Sequence, residues 1–88
     1  MTRPRAEILS ERMTLVLALG EANATQNKAV AGAGGAEIAR LAAGDAPGAT
    51  ETEAVEEAAL RLAEADARVA DLETQLAALD AELVAADD

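Results

Sequence analysis

The sequence predicts an all-α, elongated protein: one long C-terminal helix of the coiled-coil type, a Gly/Ala-rich linker, and an N-terminal helical segment. Apolar residues after position 54 recur at heptad spacing, which is typical of a helix that packs along one stripe. The 88-residue chain has no Phe, Tyr, Trp or Cys, and 25 of its 45 hydrophobic residues are Ala. Without large side chains or disulfides, so short a chain is not expected to build a compact core.

Residues 1–31 are predicted to be an N-terminal helical anchor. Pro4 suits the first position of a helix, and Met and Leu favour helix from there to about Leu19. A short strand over 14–19 is the alternative, since the apolar run there has no clear period. The large side chains cover more than one face, so we expect this segment to be buried against a partner. The candidate anchor residues are Ile8, Leu9, Met13, Val16 and Leu17.

Residues 32–49 are predicted to be a linker. Gly32, Gly34 and Gly35 are expected to form a hinge, because glycine loses the most backbone freedom on ordering. The alternative is that a partner backbone packs closely against these glycines. A short helix is predicted over 36–43, with Gly44 at the C′ position and a turn over 45–48.

Residues 50–88 are predicted to be an acidic heptad helix. Thr50 and Glu53 have the spacing of a capping box, in which each side chain bonds the backbone amide of the other residue. Position a of the heptad is occupied by Val or Leu throughout, whereas position d changes from Ala to Leu along the helix. The predicted interface residues of this seam are Val55, Leu62, Val69, Leu72, Leu76, Leu79 and Leu83.

Three partners for the seam are open from the sequence. A parallel homodimer would place Arg61 opposite Asp66 and Arg68 opposite Glu73, and it is better than an antiparallel one, which sets acid against acid. The second alternative is a helix of the same chain, formed if residues 5–30 fold back. The third is a different protein with a basic flank, which the acidic edge of the seam would select.

The charge of the chain is strongly uneven. Residues 1–50 sum to zero, whereas residues 51–88 carry two basic and twelve acidic side chains, which accounts for the whole net charge of −10. We expect no direct nucleic-acid partner, and the acidic surface disfavours anionic membranes. The chain has no His and no Cys, the usual general base and metal ligands. We therefore predict no catalytic, metal or cofactor-binding residues and no enzymatic activity, because carboxylates on a thin helix lack a walled cleft.

The function predicted from these observations is that of a structural or interaction protein. It would be a small helical subunit or accessory component of a larger assembly, of virion or secretion type, acting as a homo-oligomer or with other proteins. We expect it in the cytoplasm or in an assembled particle rather than secreted; its apolar run over 13–19 is too short to cross a bilayer. The alternative function is an acidic inhibitor or chaperone-like partner that covers a basic protein surface.

Overall fold

The protein forms a hairpin of two long antiparallel helices. The computed structural model describes residues 3–44 and 49–86, and within them α1 spans Arg5–Ala42 and α2 spans Ala49–Ala85, with no strand. The molecule measures 65 × 17 × 14 Å and its radius of gyration is 19.5 Å. A compact chain of this length would have a radius of about 12 Å. The prediction of an all-α, elongated fold is confirmed.

The helix α1 runs without interruption through the segment that the sequence assigned to a linker. Gly32, Gly34 and Gly35 lie inside it, as does the predicted separate helix over 36–43. The hinge and the linker boundary at residue 32 are therefore wrong as secondary structure. The physical reason is tertiary: a face of α1 that includes the half-buried Ala33 stays against α2 here, and such packing outweighs a cost of about 1 kcal/mol per glycine.

The ends of the helices follow the sequence more closely. Gly44 has a φ of +85° at the C′ position of α1, where glycine is favoured, and its N–H donates to the carbonyl of Leu41 at 3.2 Å. The helix α2 already begins at Ala49, so Thr50 lies in its first turn and not at the predicted cap, and Glu53 follows inside the helix. The assigned first residue of a helix commonly varies by one or two positions, because the first backbone amides of a helix lack intrahelical hydrogen-bond partners. The predicted turn over 45–48 lies outside the described residues.

The heptad positions of α2 face α1 of the same chain. Val69, Leu72 and Leu79 are buried there, while the remaining predicted seam residues are half-buried. The second of the three alternatives, a helix of the same chain, is therefore the arrangement in the structure. The structure does not leave this stripe free for a parallel homodimer, because α1 of the same chain already covers it in the antiparallel orientation.

The side of α1 that faces α2 has a heptad spacing of its own. Its buried residues are Ile8 and Ala22, and the half-buried ones continue the same alternation of four and three residues: Arg12, Leu15, Leu19, Gln26, Ala29, Ala33, Ala36 and Arg40. The densest packing joins Ala22 to Val69 and Leu72, with Leu15, Ala18 and Leu19 against them. The core is thus a narrow seam between two helices, and every other face of both helices is open to solvent or to a partner.

Candidate functional site

Polar bridges fix the register of the hairpin along one edge of the seam. Arg12 Nε donates a hydrogen bond to Asp80 Oδ1 at 2.8 Å, and Gln26 Nε2 donates to Asp66 Oδ1 at 2.7 Å. Both acceptors belong to the acidic edge that the sequence assigned to a basic partner. In the structure, α1 itself occupies part of that edge.

The opposite edge of the seam is bridged near the open end of the hairpin. The guanidinium of Arg3 bonds the carboxylate of Glu82 at 2.7 Å and also contacts Glu11 of its own helix. These two carboxylates raise the pKa of Arg3 above its ordinary value, Glu82 being the larger cause. The contact ties the start of α1 to the end of α2, and it leaves the remaining side of α1 without any part in the hairpin.

That remaining side carries no charged side chain from Ala6 to Ala42, and Arg5, the first residue of α1, lies at its N-terminal border. At about 100° per residue, fifteen positions between Ala6 and Ala42 fall within a sector of about 120°, and all fifteen are exposed. We call this sector the neutral face. Its only polar side chains are two asparagines, and the acidic edge of α2 borders it. The neutral face consists of Ala6, Leu9, Met13, Val16, Leu17, Gly20, Asn23, Ala24, Asn27, Ala31, Gly34, Gly35, Ile38, Leu41 and Ala42.

Most of the large apolar side chains that the hairpin leaves in water lie on the neutral face. Of nine such side chains among the described residues, six belong to it, and their exposed fractions range from 41% at Val16 to 69% at Ile38. Large exposed apolar patches on soluble proteins commonly mark binding sites, and here two such groups, over 9–17 and 38–41, share one side of a helix. The neutral face is therefore the candidate functional site.

The predicted anchor residues divide between two sides of α1. Ile8 is fully buried in the seam against α2, whereas Leu9, Met13, Val16 and Leu17 lie exposed on the neutral face. The apolar residues around this segment thus form two separate surfaces. One packs against α2 in the hairpin, and the other stays uncovered. The prediction that these four residues contact a partner stays a prediction.

The glycines of the neutral face have no role in packing the hairpin. A Cβ atom added at Gly20, Gly34 or Gly35 would meet no atom within 4 Å beyond its local backbone. Each glycine nevertheless costs about 0.5–1 kcal/mol in a helix interior. The face is consequently narrow from Gly20 to Gly35 and broad at both ends, where Leu9, Met13, Ile38 and Leu41 project from it.

A shallow groove opens on the side of the hairpin away from the neutral face. It has a volume of about 590 Å³ and lies where the seam is lined by alanines such as Ala29, Ala58 and Ala65. Its rim mixes Lys28 with acidic and basic side chains of α2. Because Arg61 pairs with Glu57 within α2, the rim presents no concentrated charge of one sign.

The described residues contain no group of three or more acidic, His or Cys side chains placed to hold a metal ion. The titratable pair near the end of α1 is structural: Arg40 hydrogen-bonds Glu37 and lowers the pKa of that carboxyl below its ordinary value. Within the described ranges, no helix combines the length and apolar character that crossing a membrane requires.

Sequence reasoning missed the second half of the neutral face. Ile38 and Leu41 were assigned to a separate short helix, and the glycines before them to a joint. The signal that could have found the face is the absence of charge at helical spacing, because the charged residues of α1 after Arg5 all lie outside one sector. That signal is visible only if the helix is assumed to continue through the glycines.

Comparison with known proteins found no matching family model, no matching curated protein and no matching solved structure.

Proposed function

We propose that this protein is a non-enzymatic interaction protein that docks a helix of a protein partner on the neutral face of α1. It would act as a small helical subunit or accessory component of a larger assembly, such as a virion or a secretion machine. The observation that carries the proposal is the neutral face itself, which is exposed and which is uncharged from Ala6 to Ala42.

Energetics supports a docking role for this face. Burying one fully exposed leucine contributes about 1.5–3 kcal/mol, and Leu9, Leu17 and Leu41 are each 47–64% exposed in the hairpin. The glycines would let a partner helix approach closely in the middle of the face, which offsets their cost to α1. An elongated partner is favoured over a compact one, because the apolar side chains are spread over about 50 Å of helix rather than gathered in a pocket.

Site-specific photo-crosslinking in the cells that make the protein tests the proposal. A photoreactive amino acid replaces Leu17 on the neutral face or, as the matched control, Leu60 on the outer side of α2. Leu60 is 65% exposed and Leu17 is 64% exposed, so the two probes are equally accessible in the hairpin. We expect a discrete protein adduct from position 17 and none from position 60; equal adducts from both positions, or no adduct from position 17, would contradict the proposal.

A second candidate function rests on the charge of α2. Its described residues carry ten carboxylates and two arginines, so α2 suits the role of an acidic inhibitor or chaperone-like partner of a basic protein. We place this function second because Arg12 and Gln26 already occupy Asp80 and Asp66 of the acidic edge. Binding of this kind would weaken steeply with added salt, whereas docking on the neutral face would not.

A further inference from the structure

We infer that the occupant of the neutral face is the neutral face of a second copy of this chain, with the two α1 helices antiparallel about a two-fold axis near residue 25. The inference rests on the proposed function and names its partner. It is carried by the order of side-chain sizes along the face and by the distribution of charge over the hairpin.

The order of sizes along the neutral face is complementary to itself when reversed. Antiparallel pairing about residue 25 sets Met13 opposite Ile38 of the second copy, so that the two broad ends meet. It sets Val16 and Leu17 opposite the space left by Gly34 and Gly35. The two-fold axis repeats this contact, so the large side chains of each copy lie opposite the space above the glycines of the other copy. Close packing requires such a match of large and small residues.

Other arrangements of the same two faces fit less well. A parallel pair would set Val16 and Leu17 against their own copies and the Gly34–Gly35 pair against itself, which gives crowding in one layer and a void in another. Moving the antiparallel register by one heptad toward the N-termini brings the apolar Val16 opposite Lys28, which the register about residue 25 sets opposite the polar Asn23. Moving it the other way leaves Leu9 and Met13 uncovered. Of these three antiparallel registers, only the one about residue 25 covers the face from Leu9 to Ala42.

Charge also selects the neutral face for self-association. Two copies that met through α2 would bring together surfaces with a net charge of −8 each, from ten carboxylates and two arginines. The fifteen residues of the neutral face contribute no charged side chain to such a contact, and Lys28 at its border lies opposite the polar Asn23. It does bring the two acidic edges toward each other, because Asp80 borders the face through its bond to Arg12. We therefore expect the dimer to tighten as salt screens this repulsion.

The available area is enough for a weak dimer. The helix α1 has 38 residues and is about 57 Å long. A strip about 10 Å wide along it gives roughly 600 Å² from each copy, or about 1,200 Å² in total, which is the lower end of specific interfaces. Monomer and dimer should accordingly both be observed as concentration varies.

Sedimentation equilibrium of the full chain over a range of concentration and salt is the first test. We expect a monomer–dimer equilibrium whose dissociation constant falls as salt rises. Two variants, Met13→Lys and Ile38→Glu, should each raise that constant at least about tenfold, because each homodimer would bury unpaired charges. A mixture of the two variants should restore a 1:1 dimer, since Lys and Glu then face each other. Only the antiparallel pairing predicts this rescue.

Matched controls separate the interface from the fold. Leu60→Lys should leave association unchanged, and circular dichroism should show equal helix content in all variants. Gly34→Leu should abolish dimers, whereas Gly32→Leu, which also meets nothing within 4 Å but lies outside the neutral face, should not. A mixture that fails to dimerise, or a Gly32 variant that behaves like the Gly34 variant, would overturn the inference.

The failure of this inference is distinguishable from that of the proposed function. A wild-type protein that stays monomeric at every concentration, while the probe at Leu17 still forms an adduct with another protein, overturns the second copy as occupant and leaves the docking function standing. Absence of any adduct at Leu17 overturns both.

Discussion

Arg12 and Asp80 form the polar bridge that defines the register of this hairpin, with Nε and Oδ1 2.8 Å apart. The bridge between Gln26 and Asp66 lies fourteen residues later in α1 and fourteen residues earlier in α2, as the antiparallel orientation requires. Fourteen residues are two heptads, so the two helices advance together without slipping between these points. The half-buried stems of Arg12 and Gln26 fill seam positions while their polar ends reach the acidic edge, as amphipathic side chains commonly do.

The Arg12–Asp80 bridge should contribute little to stability but should be measurable. Arg12→Asp and Asp80→Arg should each lower the free energy of unfolding by less than about 1 kcal/mol, because both side chains are roughly half exposed and screened by water. The double swap should recover most of the loss. Urea unfolding of the four proteins in a double-mutant cycle measures the coupling, which should shrink at high salt; zero coupling at low salt would show that the bridge does not form.

The seam should dominate stability. Leu72 is 1% exposed, so Leu72→Ala should cost about 2–5 kcal/mol through lost transfer free energy and the cavity left behind. The control is Leu60→Ala, at a side chain that is 65% exposed, which should change stability by less than about 0.5 kcal/mol. Chemical unfolding followed by circular dichroism compares the two. Similar losses from both substitutions would mean that α2 does not pack on the side described.

Two glycines should respond to alanine in opposite directions. Gly32→Ala should stabilise the hairpin by about 0.5–1 kcal/mol, because Gly32 lies inside α1 and an added Cβ meets nothing within 4 Å. Gly44→Ala should destabilise it by about 1–2 kcal/mol, because Gly44 has a φ of +85°. Thermal unfolding at low protein concentration provides the measurement. A stabilised Gly44 variant would be inconsistent with the left-handed end of α1.

Glu37 should report the pH dependence of the end of α1. Arg40 lowers the pKa of the Glu37 carboxyl in the folded state. A depressed carboxyl pKa contributes stability above the unfolded value of about 4.3, and that contribution is lost as pH falls through the folded pKa. Carboxyl-detected NMR titration should find the pKa of Glu37 below its ordinary value in the wild type. In Arg40→Gln it should return to that value; an unchanged titration would remove Arg40 as the cause.

The long acidic helix could be predicted because its signal is local. Val69, Leu72 and Leu79 are large, apolar and correctly spaced, so their pattern identifies both the helix and the side of it that packs. The matching side of α1 could not be predicted in the same way. Its seam positions include Arg12, Gln26 and Arg40, whose polar side chains do not mark them as buried in the sequence. They occupy the seam because their aliphatic stems pack there while their polar ends bond carboxylates of α1 or α2.

Only the first half of the neutral face could be predicted from the sequence, for a related reason. Leu9, Met13, Val16 and Leu17 stand out in the sequence as an apolar run, but the run does not show which side chains α2 covers. The second half of the face depends on α1 continuing through Gly34 and Gly35, against the helix propensity of glycine. In the structure, the half-buried Ala33 and Ala36 lie beside these glycines on the side of α1 that faces α2, and such packing favours the helix there.

The sequence by itself determined the helical class, the elongated shape, the seam of α2 and the segregation of charge, because helix periodicity and net charge are properties of the chain read in order. The tertiary structure alone decided that the seam closes on α1, that α1 continues through Gly32 to Ala42, and that one uncharged side of α1 remains uncovered. The physical reason is that burial is a property of pairs of helices. A side chain's period places it on a stripe, but only the partner helix decides whether that stripe is core or surface.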